Sequence, residues 1–187
     1  MMAIHTDLHM KNQTREKYTL KTIDVALIAI LVAILEVAKM VLNSIANVEL
    51  ITLLFIIFTL QFGIKKTLIT SMLFSILECA VWGFATWSIV YFYIWPLLIL
   101  FTHVLRKADN KMIFTFLSGF FGLSFGMFCS IITFANGGIN AAVSWWIAGI
   151  PYDVVHGVSN FIIALLLFAP INNAFIQIKK RYPEIAN

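Results

Sequence analysis

Six ionisable residues sit within or at the edges of long apolar runs: Glu36, Lys39, Glu49, Glu78, Asp153 and His156, with His103 nearer the end of another run. An ionisable group in hydrocarbon costs roughly 2.5–3.5 kcal/mol on insertion scales, so such groups mark ion pairs, proton or ion paths, or ligand contacts. Their spacing is regular. Glu36, Lys39 and Asn43 stand at i, i+3, i+7, and Asp153, His156 and Asn160 repeat that pattern. Ser71, Ser75, Glu78 and Trp82 stand at i, i+4, i+7, i+11. Each set falls on one face of a helix. A polar stripe on an apolar helix faces a bundle interior or a water-filled cavity.

Each group also has a purely structural alternative. Glu36 with Lys39 can be a buried ion pair that fixes packing, and Glu78 can be the counter-charge of Lys39. Asp153 suits a cap at a helix start. His156 is expected to be a satisfied packing residue rather than a metal ligand, and no metal is expected.

The elements that carry these residues follow from composition. The chain has 187 residues, 61% hydrophobic and 12% charged, with a mean hydropathy of +0.93. Soluble domains carry about 25% charged residues, so neither an ordinary soluble globule nor a disordered chain is expected. The two cysteines, Cys79 and Cys129, lie in apolar runs, which is neither a disulfide framework nor metal spacing.

Hydropathy predicts six membrane helices: about Leu20 to Asn43, Val48 to Gly63, Thr67 to Phe84, Ser88 to Leu105, Met112 to Phe134, and Pro151 to Pro170. Pro151 suits a first helical turn. The fold class expected is an all-α membrane protein with a six-helix domain over 20–172. It is flanked by a polar segment, 1–19, and a basic tail, 173–187. Segment 1–19 is not expected to be the short basic start of a signal peptide, because the first apolar run, Leu20 to Asn43, is longer than a signal core.

Twelve of the thirteen Lys and Arg fall on one side of this arrangement: Lys11, Arg15, Lys17, Lys21, Lys65, Lys66, Arg106, Lys107, Lys111, Lys179, Lys180 and Arg181. The thirteenth, Lys39, is inside the first helix. The positive-inside rule then places both termini in the cytoplasm. It also accounts for the net charge of +4 without nucleic acid. Nearly all the costly groups fall in the outer half, His103 excepted, as do Trp82, Trp87, Trp95, Trp145, Trp146, Tyr91 and Tyr93. An interfacial belt would populate both surfaces. A one-sided cluster of aromatics with a few polar groups describes a small-molecule site. Its candidate ligand contacts are Glu36, Lys39, Asn43, Glu49, Glu78, Trp82, Trp87, Tyr91, Trp95, Trp146, Asp153, His156 and Asn160.

Small residues mark two helix faces, Ala26, Ala29 and Ala33 on the first helix and Gly119, Gly122 and Gly126 on the fifth. Such residues allow close helix approach in lipid. The glycines are expected to pack within the bundle, and the alanines are candidates for a partner interface. No phosphate-binding loop, zinc-protease or serine-hydrolase motif occurs, so no catalysis and no cofactor are expected. If the chain drives uphill transport with ATP, the ATPase must be another chain.

Three stretches carry a family resemblance: Asn47-Val48-Glu49-Leu50; Trp82-Gly83-Phe84 through Tyr91-Phe92-Tyr93-Ile94-Trp95-Pro96; and Trp146 to Asp153 with His156, Gly157 and Asn160. With the six-helix layout, they resemble the substrate-binding (S) components of energy-coupling-factor (ECF) vitamin transporters, most nearly the cobalamin-type branch. The Ala29-x-x-x-Ala33 pair is similar to that family's helix-one contact motif. The resemblance implies a vitamin binder in a prokaryotic plasma membrane. It implies a membrane coupling subunit and two cytoplasmic ATPases as partners, and a toppling motion that releases substrate inward. A competing expectation is a small self-sufficient carrier or channel with Glu36, Lys39, Glu78 and Asp153 as its ion path. The inner half opposes it, offering little besides Asp24, Gln61 and His103. A lipid-acting enzyme lacks any motif.

Overall fold

The computed structural model describes residues 20–108 and 110–185, and every regular element among them is helical. In chain order these are α1 (Thr22–Leu42), α2 (Ile51–Trp82), α3 (Thr86–Leu105), α4 (Lys111–Leu123), α5 (Phe125–Arg181) and a 3-10 turn at Pro183–Ile185. The segment 1–19, with Lys11, Arg15 and Lys17, lies outside the described residues. Four stretches are long and apolar enough to cross a membrane: Thr22–Leu42, Ile51–Trp82, Trp87–Leu105 and Lys111–Arg181.

Local chemistry starts these helices. The Asp24 carboxylate accepts the Lys21 N–H at 2.9 Å ahead of α1. Glu49 accepts the Thr52 N–H at 2.8 Å ahead of α2. Asn110 accepts the Met112 N–H at 2.9 Å ahead of α4. Each satisfies a donor that the first turn leaves without a helical partner.

Hydropathy predicts six separate runs, whereas the structure joins the second to the third and the fifth to the sixth. The junctions are single glycines. Gly63 has φ 82° and ψ 166° inside α2, and Gly138 has φ 73° and ψ −174° inside α5. Both lie in the region that side chains disfavour. At each the chain folds back on itself. Phe55 and Phe74 would be roughly 28 Å apart along a straight helix, yet their ring centroids are 6.0 Å apart. Gly126 and Asp153 would be roughly 40 Å apart, yet the Gly126 N–H donates to Asp153 Oδ1 at 2.9 Å.

The sixth run also begins earlier than expected. Residues 139–150 are helical, and Pro151 lies inside α5. Gly138 absorbs the whole reversal, so the helix resumes at once. Pro151 is exposed and forfeits a backbone hydrogen bond without ending the helix. The basic run Lys179-Lys180-Arg181 forms the last turn of α5 rather than a tail beyond it.

Glycines bring the arms of the second hairpin together. A Cβ on Gly122 would stand 2.9 Å from the Gly157 Cα, and one on Gly119 3.0 Å from the Phe161 Cβ. A Cβ on Gly126 would run into the Asp153 carboxylate. This close approach is what small residues permit where no hydrophobic drive operates between helices. The core between the helices is apolar and aromatic, with Leu31, Leu35, Phe55, Phe58, Phe74, Ile94, Leu98 and Phe121 all but fully buried.

One end of the bundle gathers basic groups. Lys66 Nζ lies 2.7 Å from Asp24 Oδ1 and donates to the Ile185 carbonyl at 3.2 Å. Gln61 donates to Asn172 Oδ1 at 2.7 Å, and Lys179 to the Gln61 carbonyl at 2.6 Å. The start of α1, the Gly63 turn and the end of the described chain therefore meet there. On α1, Leu27, Leu31 and Leu35 are buried while Ala26, Ala29 and Ala33 are exposed on the other side.

Candidate functional site

The opposite end is built around Lys39. This lysine is in the last turn of α1 and forms an ion pair with Glu78 of α2, which has no solvent exposure. Its ammonium also stands over three rings: Trp87 at 4.8 Å, Tyr91 at 5.3 Å and Trp82 at 5.8 Å from the centroids. Ring faces attract cations within about 6 Å. Tyr91 is stacked on Phe74, with centroids at 6.0 Å and planes at 11°. Trp95 lies 5.2 Å from Tyr91 and 6.1 Å from Phe125. Phe125 in turn lies 4.9 Å from the His156 ring.

Lys39, Tyr91, Trp95, Phe125 and His156 form part of the wall of a cavity of about 200 Å³ beneath the connection from α1 to α2. It is lined by Lys39, Asn43, Glu49, Tyr91, Trp95 and His156, with Leu42, Ile45, Ala46, Asn47, Val48, Ile51 and Phe125. The connection is pinned at three points. The Ser159 hydroxyl donates to the Asn47 carbonyl at 2.7 Å. Glu49 holds the first turn of α2 through Thr52, and its other oxygen faces His156 Nε2 at 3.4 Å. Burial pushes the Glu49 carboxyl upward, but the hydrogen bonds from His156 and Thr52 outweigh it and hold the carboxyl below its ordinary range. Asn47 takes a left-handed φ of 60°, which asparagine tolerates better than most residues.

A second cavity of about 460 Å³ lies between α3 and α5, lined by Trp87, Val90, Cys129, Thr133, Asn136, Gly137 and Trp145. Trp87 meets Tyr91 edge to face at 5.6 Å. Since Trp87 lines the second cavity and Tyr91 the first, this pair stands between the two.

The candidates from sequence thus divide. Lys39, Asn43, Glu49, Tyr91, Trp95 and His156 share the first cavity. Glu78, Trp82 and Trp87 surround the Lys39 ammonium. Glu36 lies half-buried one turn before Lys39, with a buried Oε1 that has no hydrogen-bond partner. Three candidates lie elsewhere. Asp153 lines neither cavity and accepts the Gly126 N–H, so it caps the start of α5, not the helix around itself. Asn160 is buried and donates to Thr52 Oγ1 at 3.3 Å, tying α5 to α2. Trp146 is exposed and borders neither cavity.

Sequence reasoning misses Ile45, Ala46 and the ring of Phe125, because apolar and small residues carry no charge signal, and it reaches Asn47 and Val48 only through the resemblance. Cys129, Thr133 and Asn136 are missed because nothing in their spacing joins them to Trp87, and Trp145 is grouped with Trp87 only as an outer-half aromatic. The arrangement offers aromatic faces, one ammonium and several carboxylates around a small cavity, which is binding chemistry. Among the described residues, no three His, Cys, Asp or Glu are grouped to hold a metal ion. Comparison with protein-family models, with curated proteins and with solved structures finds no match for this chain.

Proposed function

We propose that this chain is the substrate-binding component of an ECF-type transporter, capturing a vitamin at the Lys39 end for uptake driven by partner subunits. One observation carries the proposal. The aromatic and polar cavity lies at the end of the bundle opposite the cluster of Lys66, Lys179 and Gln61. By the positive-inside rule the basic end is cytoplasmic, so the cavity faces outward. The folding back at Gly63 and Gly138 supports six crossings with both termini inside. The exposed Ala26, Ala29 and Ala33 face supports contact with a membrane coupling subunit, which two cytoplasmic ATPases would serve.

Cobalamin is the first ligand to test, on the resemblance of the three stretches. A cavity of about 200 Å³ is below the roughly 300–1,000 Å³ usual for ligand pockets. A corrinoid would have to part Trp87 from Tyr91 and join the two cavities. The experiment is to purify the chain alone in detergent, identify any retained molecule by native mass spectrometry, and titrate a vitamin panel led by cobalamin. Saturable binding of one member without partners is expected. A folded sample that binds none, yet passes ions or solutes through liposomes, would instead favour a self-sufficient carrier.

A further inference from the structure

Counted as ionised, the acidic groups in and beside the first cavity outnumber the basic ones, and the imbalance bears on what enters it. Lys39 is the only Lys or Arg among the cavity's described lining residues. Its ammonium is already neutralised by Glu78 and already seated among Trp82, Trp87 and Tyr91. Aromatic faces closed by a carboxylate are how proteins recognise organic cations. Here the chain's own lysine fills such a cage.

Two more carboxylates stand close by. Glu36 presents a buried oxygen without a hydrogen-bond partner, and Glu49 lines the cavity opposite His156. Even a protonated His156 leaves three carboxylates, Glu36, Glu49 and Glu78, against two cations. An anionic ligand would add a fourth negative charge to a partly desolvated site, where like charges repel strongly. A neutral ligand would leave Glu36 without a counter-charge. A cation relieves both, because it takes over Glu78 and frees Lys39 to face Glu36 one turn before it on α1. Lys39 sits on a flexible stem, and its side chain keeps 21% of its exposure, so it can yield the cage by swinging toward water.

We infer that the captured ligand is a small organic cation bearing an aromatic ring. Its charged centre replaces the Lys39 ammonium among Trp82, Trp87 and Tyr91, next to Glu36 and Glu78, and its ring lies against Trp95 and Phe125. This rests on the capture function proposed above and names its substrate class.

The test titrates the purified full chain, at neutral pH, with thiamine as a permanently cationic ring compound, riboflavin as an uncharged one, and biotin, pantothenate and folate as anions. Cobalamin is included for size. Thiamine is expected to bind at least about a hundredfold more tightly than any anion. Tightest binding of an anion, of riboflavin or of cobalamin would overturn the inference while leaving capture standing. Failure of every compound to bind a folded sample would overturn the capture reading itself, and the inference with it. Lys39→Met supplies a test of opposite sign, since emptying the cage should tighten thiamine binding about tenfold. Loss of thiamine binding by a folded Lys39→Met would overturn the placement. If that variant does not fold, the wild-type titration decides.

Discussion

The Lys39–Glu78 ion pair and the Asp153–Gly126 hydrogen bond show how little a residue's type says about its work. All four partners lie in apolar runs. Lys39 and Glu78 meet across α1 and α2 within a ring of aromatics, whereas Asp153 is spent on a helix start remote in sequence. Removing one member of a buried pair leaves the other uncompensated. Glu78→Ala is therefore expected to cost about 2–3 kcal/mol, less than for a fully buried pair because Lys39 can reach water. The check is the thermal midpoint in detergent. Lys39→Met combined with Glu78→Leu should recover most of the loss, and failure to recover it would assign the damage to packing. At the other site, Asp153→Asn keeps an acceptor for the Gly126 N–H and should be nearly silent. Asp153→Ala should cost about 1 kcal/mol, as a lost helix cap does.

Glu49 gives a pH prediction. Its folded carboxyl is held below the ordinary value by His156 and Thr52. A depressed carboxyl contributes stability above its unfolded value and loses it as the pH falls through the folded one. The difference in thermal midpoint between wild type and Glu49→Gln should thus be largest near neutrality and shrink in acid. A constant difference across the series would mean that the Glu49 charge adds nothing.

Among the elements, the decisive residues are the glycines. Hydropathy separates the apolar runs around Lys65-Lys66 and around Asn136 to Asn140, but a single residue in a left-handed conformation leaves no mark in a hydropathy profile. The one-residue reversals at Gly63 and Gly138 were therefore illegible, and so was the helical stretch 139–150 that follows from the second. Packing by Gly119, Gly122 and Gly126 within the bundle was legible, because small residues at helical spacing have few other uses in lipid. Gly63→Ala and Gly138→Ala should each cost about 1–2 kcal/mol, since their backbone disfavours a side chain. Gly149 lies in the helix with open space around it, so Gly149→Ala should gain up to about 1 kcal/mol. Thermal midpoints of the three variants check the contrast. Ala29→Leu should spare ligand binding and weaken recovery of a coupling subunit on co-purification, and undiminished recovery would exclude that face from the interface.

Across the whole molecule, polarity along the bundle was the most legible feature. Basic residues mark one end in the sequence, and the structure gathers Lys66 and Lys179 with Gln61 and the Ile185 carbonyl there. The aromatic end was legible as a cavity lined by aromatics and a few polar groups, but its full lining was not. Its lining depends on the 43–50 connection and on Phe125, whose residue types look ordinary. The second cavity could not be read from sequence at all, since it exists only where α3 meets the hairpin of α5. The proposal that a ligand is captured at the Lys39 end can be tested by position. The dissociation constant of whichever panel compound binds should be measured for Asn43→Ala and Trp87→Ala at that end and for Gln61→Ala at the other. Weakening of about tenfold or more in the first two, with Gln61→Ala unchanged, is expected. Binding unaffected by Asn43→Ala and Trp87→Ala in folded protein would contradict the site.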